Sequence, residues 1–393
     1  MITIAFVEPT SDMAGVEYST LFLAEALDKT QYTPVVIVPT WGPMADACQT
    51  RGIAVRVVPR APFRSASFRW GQRNLADPLA MLFNPWQLWR SAYHLQKNLH
   101  HLPVDLLVSK GLLVHFYGGW AARRLGIPCI WHVQDEVPER RAGGLYLRGL
   151  QMAAQHLAQA VIGDAQTIAR QFPRHPTVST IYNGIDIQAY APTTAPGNLR
   201  HTLGIPGEAT LIGNLARLTD WKGQHVLIEA FQQIAPEHPQ AHLVLIGTPL
   251  FDNNRYEQRL HRLVQEGPAS DRIHFAGYRT DPAQTLAALD IYVHPSVRKD
   301  TAPLALLSAL ATGLPVVISD VPGMVEVVEP DHSALVFPAE DSAALVQHLR
   351  RLLTQPELGR CLGQAARDTA VQRFSLHAHA EAMIDIFNQT LNQ

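Results

Sequence analysis

The feature that most constrains this chain is an alternation of short apolar runs with helical segments, which occurs twice along the sequence. The first series of predicted strands comprises Ile2–Val7, Thr33–Val38, Ala54–Val58, Leu106–Val108, Pro128–Val133 and Gln159–Ile162. The second comprises Thr210–Asn214, His242–Ile246, Ile273–Ala276, Ile291–His294 and Pro315–Ser319. Apolar strands separated by helices are typical of parallel sheets covered on both faces. The sequence therefore predicts an α/β protein with two Rossmann-like domains.

The segment that separates the two series is predicted to be a linker. Residues 191–198 contain Pro192, Pro196 and Gly197, a composition typical of loops. We therefore predict a first domain at 1–190 and a second at 191–375. The last helix lies within about 376–393, and we expect it to cross back to the first domain. A length of 393 residues suits two domains of roughly 100–200 residues each.

Composition excludes several classes of protein. A formal net charge of −2 argues against a nucleic-acid partner. The three cysteines, Cys48, Cys129 and Cys361, match neither a metal site nor a disulfide framework. No signal peptide is recognisable, and no apolar run reaches the ~18 residues of a membrane span. We expect a cytoplasmic protein, at most peripheral to the inner face of a membrane.

Residues 60–101 interrupt the alternation and are rich in aromatic and basic side chains. A helix predicted at Pro85–Leu102 places Trp86, Trp89 and Tyr93 on a shared side. Two interpretations are open. These rings belong to the core, or they contact an anionic membrane surface together with nearby arginines.

Two candidate sites follow predicted strands of the first domain, where open parallel sheets bind ligands. Gly15 opens the first helix, so backbone and helix N-terminus could approach an anion there. The alternative is an ordinary tight turn. His132 ends another strand and could bond to a sugar hydroxyl or stabilise charge, although a lone histidine is more often structural.

Two further candidate sites follow strands of the second domain. Arg217 and Lys222 flank a short loop, where a guanidinium fork and an ammonium could stabilise a departing diphosphate without a metal ion. The alternative is a solvated surface pair. Later, Thr301 is predicted to cap a helix with Pro303 in its first turn, whose amides form an anion site. Asp300 could hold sugar hydroxyls there, or serve in capping alone.

Taken in order, these motifs resemble the family-4 retaining glycosyltransferases of the GT-B fold, also known as glycosyl transferase group 1. The resemblance covers nearly the whole chain and is strongest from Ile181 to Asp341. The matching motifs are Asn183–Asp186, Arg217, Lys222–Gly223, Leu243–Gly247, Ile273–Tyr278, Gly313–Val317 and Gly323–Glu326. This fold implies two Rossmann-like domains facing each other across a cleft, with the acceptor on the first and the nucleotide-sugar donor on the second.

The resemblance also implies roles for individual residues. The implied catalytic residues are His132, at the transferred sugar, Asp300, at its hydroxyls, and Arg217 and Lys222, at the diphosphate. The implied donor-binding set is Gly15, Arg217, Lys222, Gly247, Tyr278, Pro303, Leu304, Ser308 and Glu326. Neither a metal nor a cofactor is implied, since the nucleotide sugar is a co-substrate and a donor phosphate oxygen acts as base during same-face attack. The implied acceptor is a glycan or lipid-linked sugar, in cell-surface polysaccharide or glycolipid synthesis.

One departure from the family pattern leaves an alternative open. The family has two glutamates eight positions apart, where this chain has Asp300 and Ser308. The second change removes the carboxylate expected to bind the ribose hydroxyls, with bonds worth about 1.5–3 kcal/mol each. The alternative function is therefore a non-catalytic relative that binds a nucleotide or a partner enzyme. A nucleotide-sugar epimerase of the same fold fits the motif series poorly.

Overall fold

The computed structural model describes residues 1–13, 15–64, 67–70, 73–137, 144–249 and 254–392. The chain divides into two compact units, each of which has its own sheet. Unit 1 comprises Met1–Tyr182 with His379–Gln393, and unit 2 comprises Asn183–Ala378. None of the helices in the described part of the chain combines the length and hydropathy that a membrane crossing requires.

Unit 1 is built on a parallel sheet of seven strands in the order β3-β2-β1-β6-β7-β8-β9. Its strands are β1 (Ile2–Val7), β2 (Tyr32–Val38), β3 (Ala54–Val57), β6 (Leu106–Lys110), β7 (Cys129–Val133), β8 (Ala160–Gly163) and β9 (Val178–Thr180). A separate antiparallel pair consists of β4 (Ser67–Trp70) and β5 (Arg73–Ala76). The helices of unit 1 are α1 (Gly15–Ala26), α2 (Pro43–Thr50), α3 (Pro78–Leu99), α4 (Leu112–Leu125), α5 (Leu145–Leu157) and α6 (Gln166–Ala169). The C-terminal helix α15 (Leu376–Leu391) also packs in this unit.

Both faces of the unit 1 sheet are covered by apolar clusters, which is why its strands are apolar on both sides. The last helix, α15, contributes Met383 and Phe387 to one of these clusters. The ring of Phe387 meets the ring of Phe6 on β1 edge to face, with 6.5 Å between centroids. The C-terminal helix therefore belongs to the first unit, as predicted.

Unit 2 contains a parallel sheet of six strands in the order β12-β11-β10-β13-β14-β15. The strands are β10 (Thr210–Leu215), β11 (Ala241–Ile246), β12 (Ile273–Gly277), β13 (Ile291–His294), β14 (Val316–Ser319) and β15 (Leu335–Phe337). The helices are α7 (Leu199–Thr202), α8 (Gln224–Ile234), α9 (Arg255–Gln265), α10 (Pro282–Ala287), α11 (Leu304–Thr312), α12 (Pro322–Val325), α13 (Ser342–Thr354) and α14 (Pro356–Arg373). The predicted α/β class with two Rossmann-like units is confirmed.

The strand order reverses once in each sheet, and the two reversals place the candidate sites. In unit 1 the reversal lies between β1 and β6, and in unit 2 it lies between β10 and β13. Ligands of open α/β sheets bind outside the carboxyl ends of the strands at such a point. We term the two positions the β1–β6 edge and the β10–β13 edge.

Two sequence expectations differ from the structure. The helix expected from Pro85 begins earlier, at Pro78, because the Asp77 side chain caps it by accepting from the Leu79 amide. The segment 183–190, expected in the first domain, lies in unit 2. It is held there because the Ile185 amide donates to the Phe374 carbonyl at 2.7 Å.

Candidate functional site

The β10–β13 edge contains a buried ion pair at the centre of a hydrogen-bond network. Lys222 Nζ lies 2.6 Å from Asp300 Oδ2, and neither side chain is more than 9% exposed. The same carboxylate oxygen accepts from His294 Nε2 at 2.8 Å and from the Ser296 hydroxyl at 2.6 Å. Behind the network, the Tyr292 hydroxyl lies 2.8 Å from His294 Nδ1. A single carboxylate oxygen therefore gathers three donors.

The local chain path explains why residues 78 positions apart meet. Lys222 ends a short 3-10 turn after β10, and His294 is the last residue of β13, the neighbouring strand. Gly223 follows Lys222 with φ of +69°, and a Cβ atom there would lie 1.9 Å from the Pro295 carbonyl oxygen. Glycine therefore lets the two loops pack against each other, and the Val297 amide donates to the Trp221 carbonyl between them.

The electrostatics of the network favour a charged carboxylate and a neutral imidazole. Burial works against ionisation of Asp300, but the Lys222 charge and the hydrogen bonds from His294 and Lys222 hold its pKa well below the ordinary value. Burial lowers the pKa of His294, so the neutral ring donates through Nε2 and accepts from Tyr292 at Nδ1. Burial also lowers the pKa of Lys222, and the Asp300 carboxylate opposes this decrease.

The two cations predicted to bind a diphosphate therefore stand in different settings. Lys222 is buried and engaged by Asp300, whereas Arg217 is exposed. Both lie near the Trp221 ring, with Lys222 Nζ at 4.4 Å and the Arg217 Cζ atom at 5.9 Å from its centroid. Trp221 is thus within cation–π distance of both side chains.

Gly247 supports the same loop from the neighbouring strand. It follows β11 with φ of +138°, and a Cβ atom there would lie 2.1 Å from the Ala216 carbonyl oxygen. Only glycine fits this approach, so the predicted site residue is a backbone contact to the segment that carries Arg217. Asn214, near the end of β10, is buried and donates from Nδ2 to the Val293 carbonyl at 2.9 Å.

The helix α11 begins at Leu304, with Pro303 rather than Thr301 at its N-cap. Proline has no amide hydrogen, so Leu304 is the first residue here that can donate to an anion. Ala302, which precedes Pro303, is buried and has a φ of +38°. This backbone conformation costs free energy in any residue other than glycine. Ser308 lies inside the helix and is 4% exposed.

Ser308 lies close enough to Tyr190 to affect the ionisation of its hydroxyl. Burial raises the pKa of Tyr190, and a side-chain hydrogen bond with Ser308 opposes that change. The position at which the family has a second glutamate is therefore occupied by a buried serine beside Tyr190 of the same unit.

The remaining predicted donor-site residues lie at loop ends. Tyr278, after β12, is 60% exposed. Glu326 is half-buried at the end of α12, where its backbone carbonyl accepts from Arg373 at 3.0 Å. Gly15 is the first residue of α1, is exposed, and has open space around the position of a Cβ atom.

The β1–β6 edge contains buried polar groups without such a network. Glu8, Lys110 and His132 stand at the ends of adjacent strands and are at most 1% exposed. Within the described residues, neither ring nitrogen of His132 nor Nζ of Lys110 has a hydrogen-bond partner. Glu8 accepts from the Thr20 hydroxyl at 2.5 Å through Oε1, while its Oε2 has no partner in the same set of residues.

These groups shift one another's ionisation. Burial raises the pKa of Glu8 to about 7, although the Lys110 charge works against that rise. Burial lowers the pKa of Lys110 to about 8, opposed by Glu8, Glu17 and Asp164. Burial, followed by the Lys110 charge, holds the pKa of His132 well below its ordinary range, so its ring is neutral.

Sequence reasoning missed Glu8, Lys110, His294 and Ser296. A faint signal existed for each, because all four stand at or just after the carboxyl end of a strand next to a reversal of strand order. Within the parts of the chain that are described, no group of three or more His, Cys, Asp or Glu side chains is arranged to hold a metal ion.

Helix α3 presents an aromatic face to solvent, which overturns the interpretation that these rings belong to the core. The term aromatic face is used below for the exposed side chains of Leu82, Phe83, Trp86, Trp89 and Tyr93. Trp86 is 53% exposed, and the Arg90 guanidinium lies 5.5 Å from its ring centroid. Of the predicted contact region 60–101, residues 65, 66, 71 and 72 lie outside the described residues.

Two protein families match the chain, one in each half. The family described as Glycosyltransferase Family 4 matches residues 13–189, and the family described as Glycosyl transferases group 1 matches residues 197–369. The second match contains the whole β10–β13 edge, and the first contains Lys110 and His132.

Individual proteins are similar over larger parts of the chain. The spore coat protein SA of Bacillus subtilis is 27% identical, over 57% of this chain and 62% of its own length. A UDP-Gal:alpha-D-GlcNAc-diphosphoundecaprenol alpha-1,3-galactosyltransferase of Escherichia coli is 24% identical, over 76% of this chain and 79% of its own. HepE of Anabaena, crystallised with UDP-glucose, superimposes with a TM-score of 0.83 at 22% identity, covering 99% of this chain and 100% of its own. That likeness shows that the fold is GT-B.

Proposed function

The chain belongs to the glycosyltransferases of group 1 and family 4, and from that membership we propose which reaction it performs. It transfers a sugar from a nucleotide-sugar donor to a glycan or lipid-linked acceptor, with retention of the anomeric configuration. The product belongs to a cell-surface polysaccharide or a glycolipid. The observation that carries this proposal is the Lys222–Asp300 pair, which holds an ammonium group at the carboxyl edge of a sheet where phosphate ligands bind.

The proposed chemistry rests on charge stabilisation of the departing nucleoside diphosphate. Lys222 and Arg217 oppose the negative charge that grows on the leaving group, and the Leu304 amide at the start of α11 adds to them. Asp300 keeps the Lys222 ammonium in place, since its own oxygen is fixed by His294 and Ser296. A fixed charge needs no reorganisation during the reaction, which is the main advantage of a preorganised site.

No cofactor or divalent metal takes part in the proposed reaction, and the nucleotide sugar is a co-substrate. The two cations supply the charge that a metal ion supplies elsewhere. Protein stripped with EDTA should keep the turnover of untreated protein. A loss of turnover that magnesium restores would contradict this part of the proposal.

The direct test is a donor-hydrolysis screen without acceptor, using UDP-, GDP-, ADP- and dTDP-sugars. UDP-glucose comes first because the similar HepE structure contains it. We expect hydrolysis of one nucleotide class and a thermal shift with the matching nucleoside diphosphate. Binding without any hydrolysis or transfer would instead favour the non-catalytic alternative, which the replacement of the family's second glutamate by Ser308 supports.

We propose that the acceptor is reached at the inner face of an anionic membrane, through the aromatic face of α3. Its rings are exposed, its sequence contains no acidic residue, and Arg90 lies beside Trp86. Amphipathic rings and nearby cations are the side chains that prefer such an interface. The E. coli relative, whose name specifies a diphosphoundecaprenol acceptor, supports a lipid-linked acceptor here as well.

Vesicle sedimentation tests the aromatic face. The native chain should sediment with vesicles of anionic phospholipid and remain in solution with neutral ones, and the Trp86→Ser/Trp89→Ser variant should sediment with neither. A matched control is Trp41→Ser, which removes an exposed tryptophan outside this face. Equal sedimentation of the native chain and the double variant would contradict the proposed membrane contact.

A further inference from the structure

The β1–β6 edge holds three titratable side chains in a row across neighbouring strands. Lys110 on β6 is paired in register with His132 on β7, and Val7 of β1 is paired with Ser109. Because β1 and β6 are parallel, the residues that follow this pair, Glu8 and Lys110, stand opposite each other. The row reads carboxylate, ammonium and imidazole, all within the interior of unit 1.

The packing of the two loops keeps this row together. Gly111 follows Lys110, and a Cβ atom there would lie 3.0 Å from the Pro9 side chain. The loops after β1 and β6 are thus in contact just beyond the carboxylate and the ammonium. Their relative position follows from strand pairing and backbone packing, so Glu8 and Lys110 stay neighbours.

The row carries unused hydrogen-bonding capacity. Among the described residues, Lys110 Nζ, both nitrogens of His132 and Oε2 of Glu8 are buried without a hydrogen-bond partner. Buried polar groups are nearly always satisfied, and groups without a protein partner call for an explanation, such as a functional role. The lysine stem is flexible, so its ammonium can turn towards an oxygen atom brought to the strand ends.

The charges around the row indicate the chemical class of that ligand. Lys110 is one cation, and the carboxylates of Glu8, Glu17 and Asp164 all act on it electrostatically. Carboxylates this close to Lys110 repel an anion, which disfavours a phosphate or carboxylate ligand. A hydroxyl group both donates and accepts, so it can bond to Glu8 and to Lys110 at once.

We propose that Lys110, between Glu8 and His132, is a further substrate-binding residue that bonds to the hydroxyl groups of a sugar ring. The inference rests on the proposed function, because it assigns a sugar contact within that reaction. The sugar belongs either to the donor or to the acceptor, and the two sources share this chemistry. Glu8 completes the row by accepting a bond from the same ring.

The test compares Lys110→Met with the double variant Glu8→Gln/Lys110→Met. The single change leaves a buried carboxylate without its counter-charge, whereas the double change removes both charges and should restore the native unfolding temperature. Calorimetric titration of each protein with UDP and with UDP-glucose measures the contribution of the donor sugar. Initial rates measured against acceptor concentration give the KM for the acceptor, and with it the contribution of the acceptor sugar.

We expect both variants to bind UDP within twofold of the native chain, because Arg217 and Lys222, the cations proposed to hold the diphosphate, lie in unit 2. Either UDP-glucose affinity or acceptor KM should worsen by about tenfold or more, as expected for a lost bond to a charged donor. The first result assigns the row to the donor sugar and the second to the acceptor. Lys110→Arg, which keeps the charge, should recover part of the loss.

Recovery of native affinity, KM and turnover in the double variant would overturn the inference and make Glu8 and Lys110 a structural pair. A native chain that hydrolyses no nucleotide sugar would instead overturn the proposed function, and this inference with it. The two failures differ, because the first is seen only in a chain that is active.

Discussion

The two strand-order reversals in this chain hold similar side chains in opposite states. Each edge has a carboxylate, a lysine and a histidine at or beyond the carboxyl ends of adjacent parallel strands, and each set is buried. At the β10–β13 edge, Asp300 binds Lys222, His294 and Ser296 at 2.6–2.8 Å. At the β1–β6 edge, the described side chains leave Lys110 and His132 without a partner.

The two edges therefore differ in how far their polar groups are already hydrogen-bonded within the protein. A network of short hydrogen bonds fixes a charge before any ligand arrives, which suits stabilisation of a leaving group. Unsatisfied polar groups instead gain their bonds when a ligand comes, which suits recognition of hydroxyl groups. The comparison predicts that mutations at the two edges act on different quantities, and each prediction below tests one such quantity.

The largest effect is expected from Lys222→Ala. Removal of a fixed charge at a developing anion lowers turnover by about 100-fold or more, as for other preorganised donors. Initial rates of transfer measure it. The matched control is Arg298→Ala, which removes a cation from the same region where its side chain is 65% exposed, and we expect it to leave turnover unchanged. Native turnover in Lys222→Ala would remove this residue from the mechanism.

The second prediction concerns the pH dependence of stability at the β1–β6 edge. The pKa of Glu8 is raised from 4.5 to about 7 in the folded chain. The folded chain therefore holds the carboxyl proton of Glu8 more tightly than the unfolded chain does. Its stabilisation is therefore complete below about pH 4.5 and declines as the pH rises towards 7. At about 1.4 kcal/mol per pKa unit, the decline is of the order of 3 kcal/mol.

Denaturant unfolding of the native chain and of Glu8→Gln measures this decline as a difference between the two proteins from pH 4.5 to 7. The glutamine cannot ionise, so the native chain should lose stability relative to the variant across this window. Asp300 behaves oppositely, because its pKa is lowered, and its contribution is lost only in strong acid. A difference that stays constant with pH would show that Glu8 is hydrated rather than buried.

The strands and the charged loop could be predicted from the sequence, because those signals are local. The run Ile2–Val7 is a strand as predicted, and Arg217 and Lys222 flank the expected turn. Contacts between residues far apart in the sequence were not predicted. The Lys222–Asp300 bond joins positions 78 apart, and its geometry depends on which strands are neighbours.

The row at the β1–β6 edge was missed for a related reason. A single charged residue at the end of an apolar run, such as Lys110, is typical of a strand that emerges into solvent. Only the parallel pairing of β6 with β1 and β7 shows that the lysine remains inside, beside Glu8 and His132. Burial of a charge is a property of the assembled sheet and leaves no pattern in the sequence near it.

The third prediction compares the two histidines directly. His294→Leu removes a ring that bonds to both Asp300 and Tyr292, so it should lower the free energy of unfolding by about 2 kcal/mol. His132→Leu removes a ring of equal burial without such bonds, so the change should be below about 0.5 kcal/mol while transfer falls. Denaturant unfolding with transfer rates measures both. Equal losses of stability would erase the difference between the edges.

The smallest effect is expected from Ser308→Ala, at the position where a carboxylate would bind ribose. Ser308 lies inside α11 beside Tyr190 and is 4% exposed, so its hydroxyl has little access to a nucleotide. We therefore expect the Kd of the matching nucleoside diphosphate to change by less than about twofold, which corresponds to less than half a typical hydrogen bond. Tyr190→Phe removes the neighbouring hydroxyl and should give the same result in calorimetric titration. A tenfold loss in Ser308→Ala alone would show that the serine binds the ribose itself, so that unit 2 also holds a group whose partner arrives with the ligand.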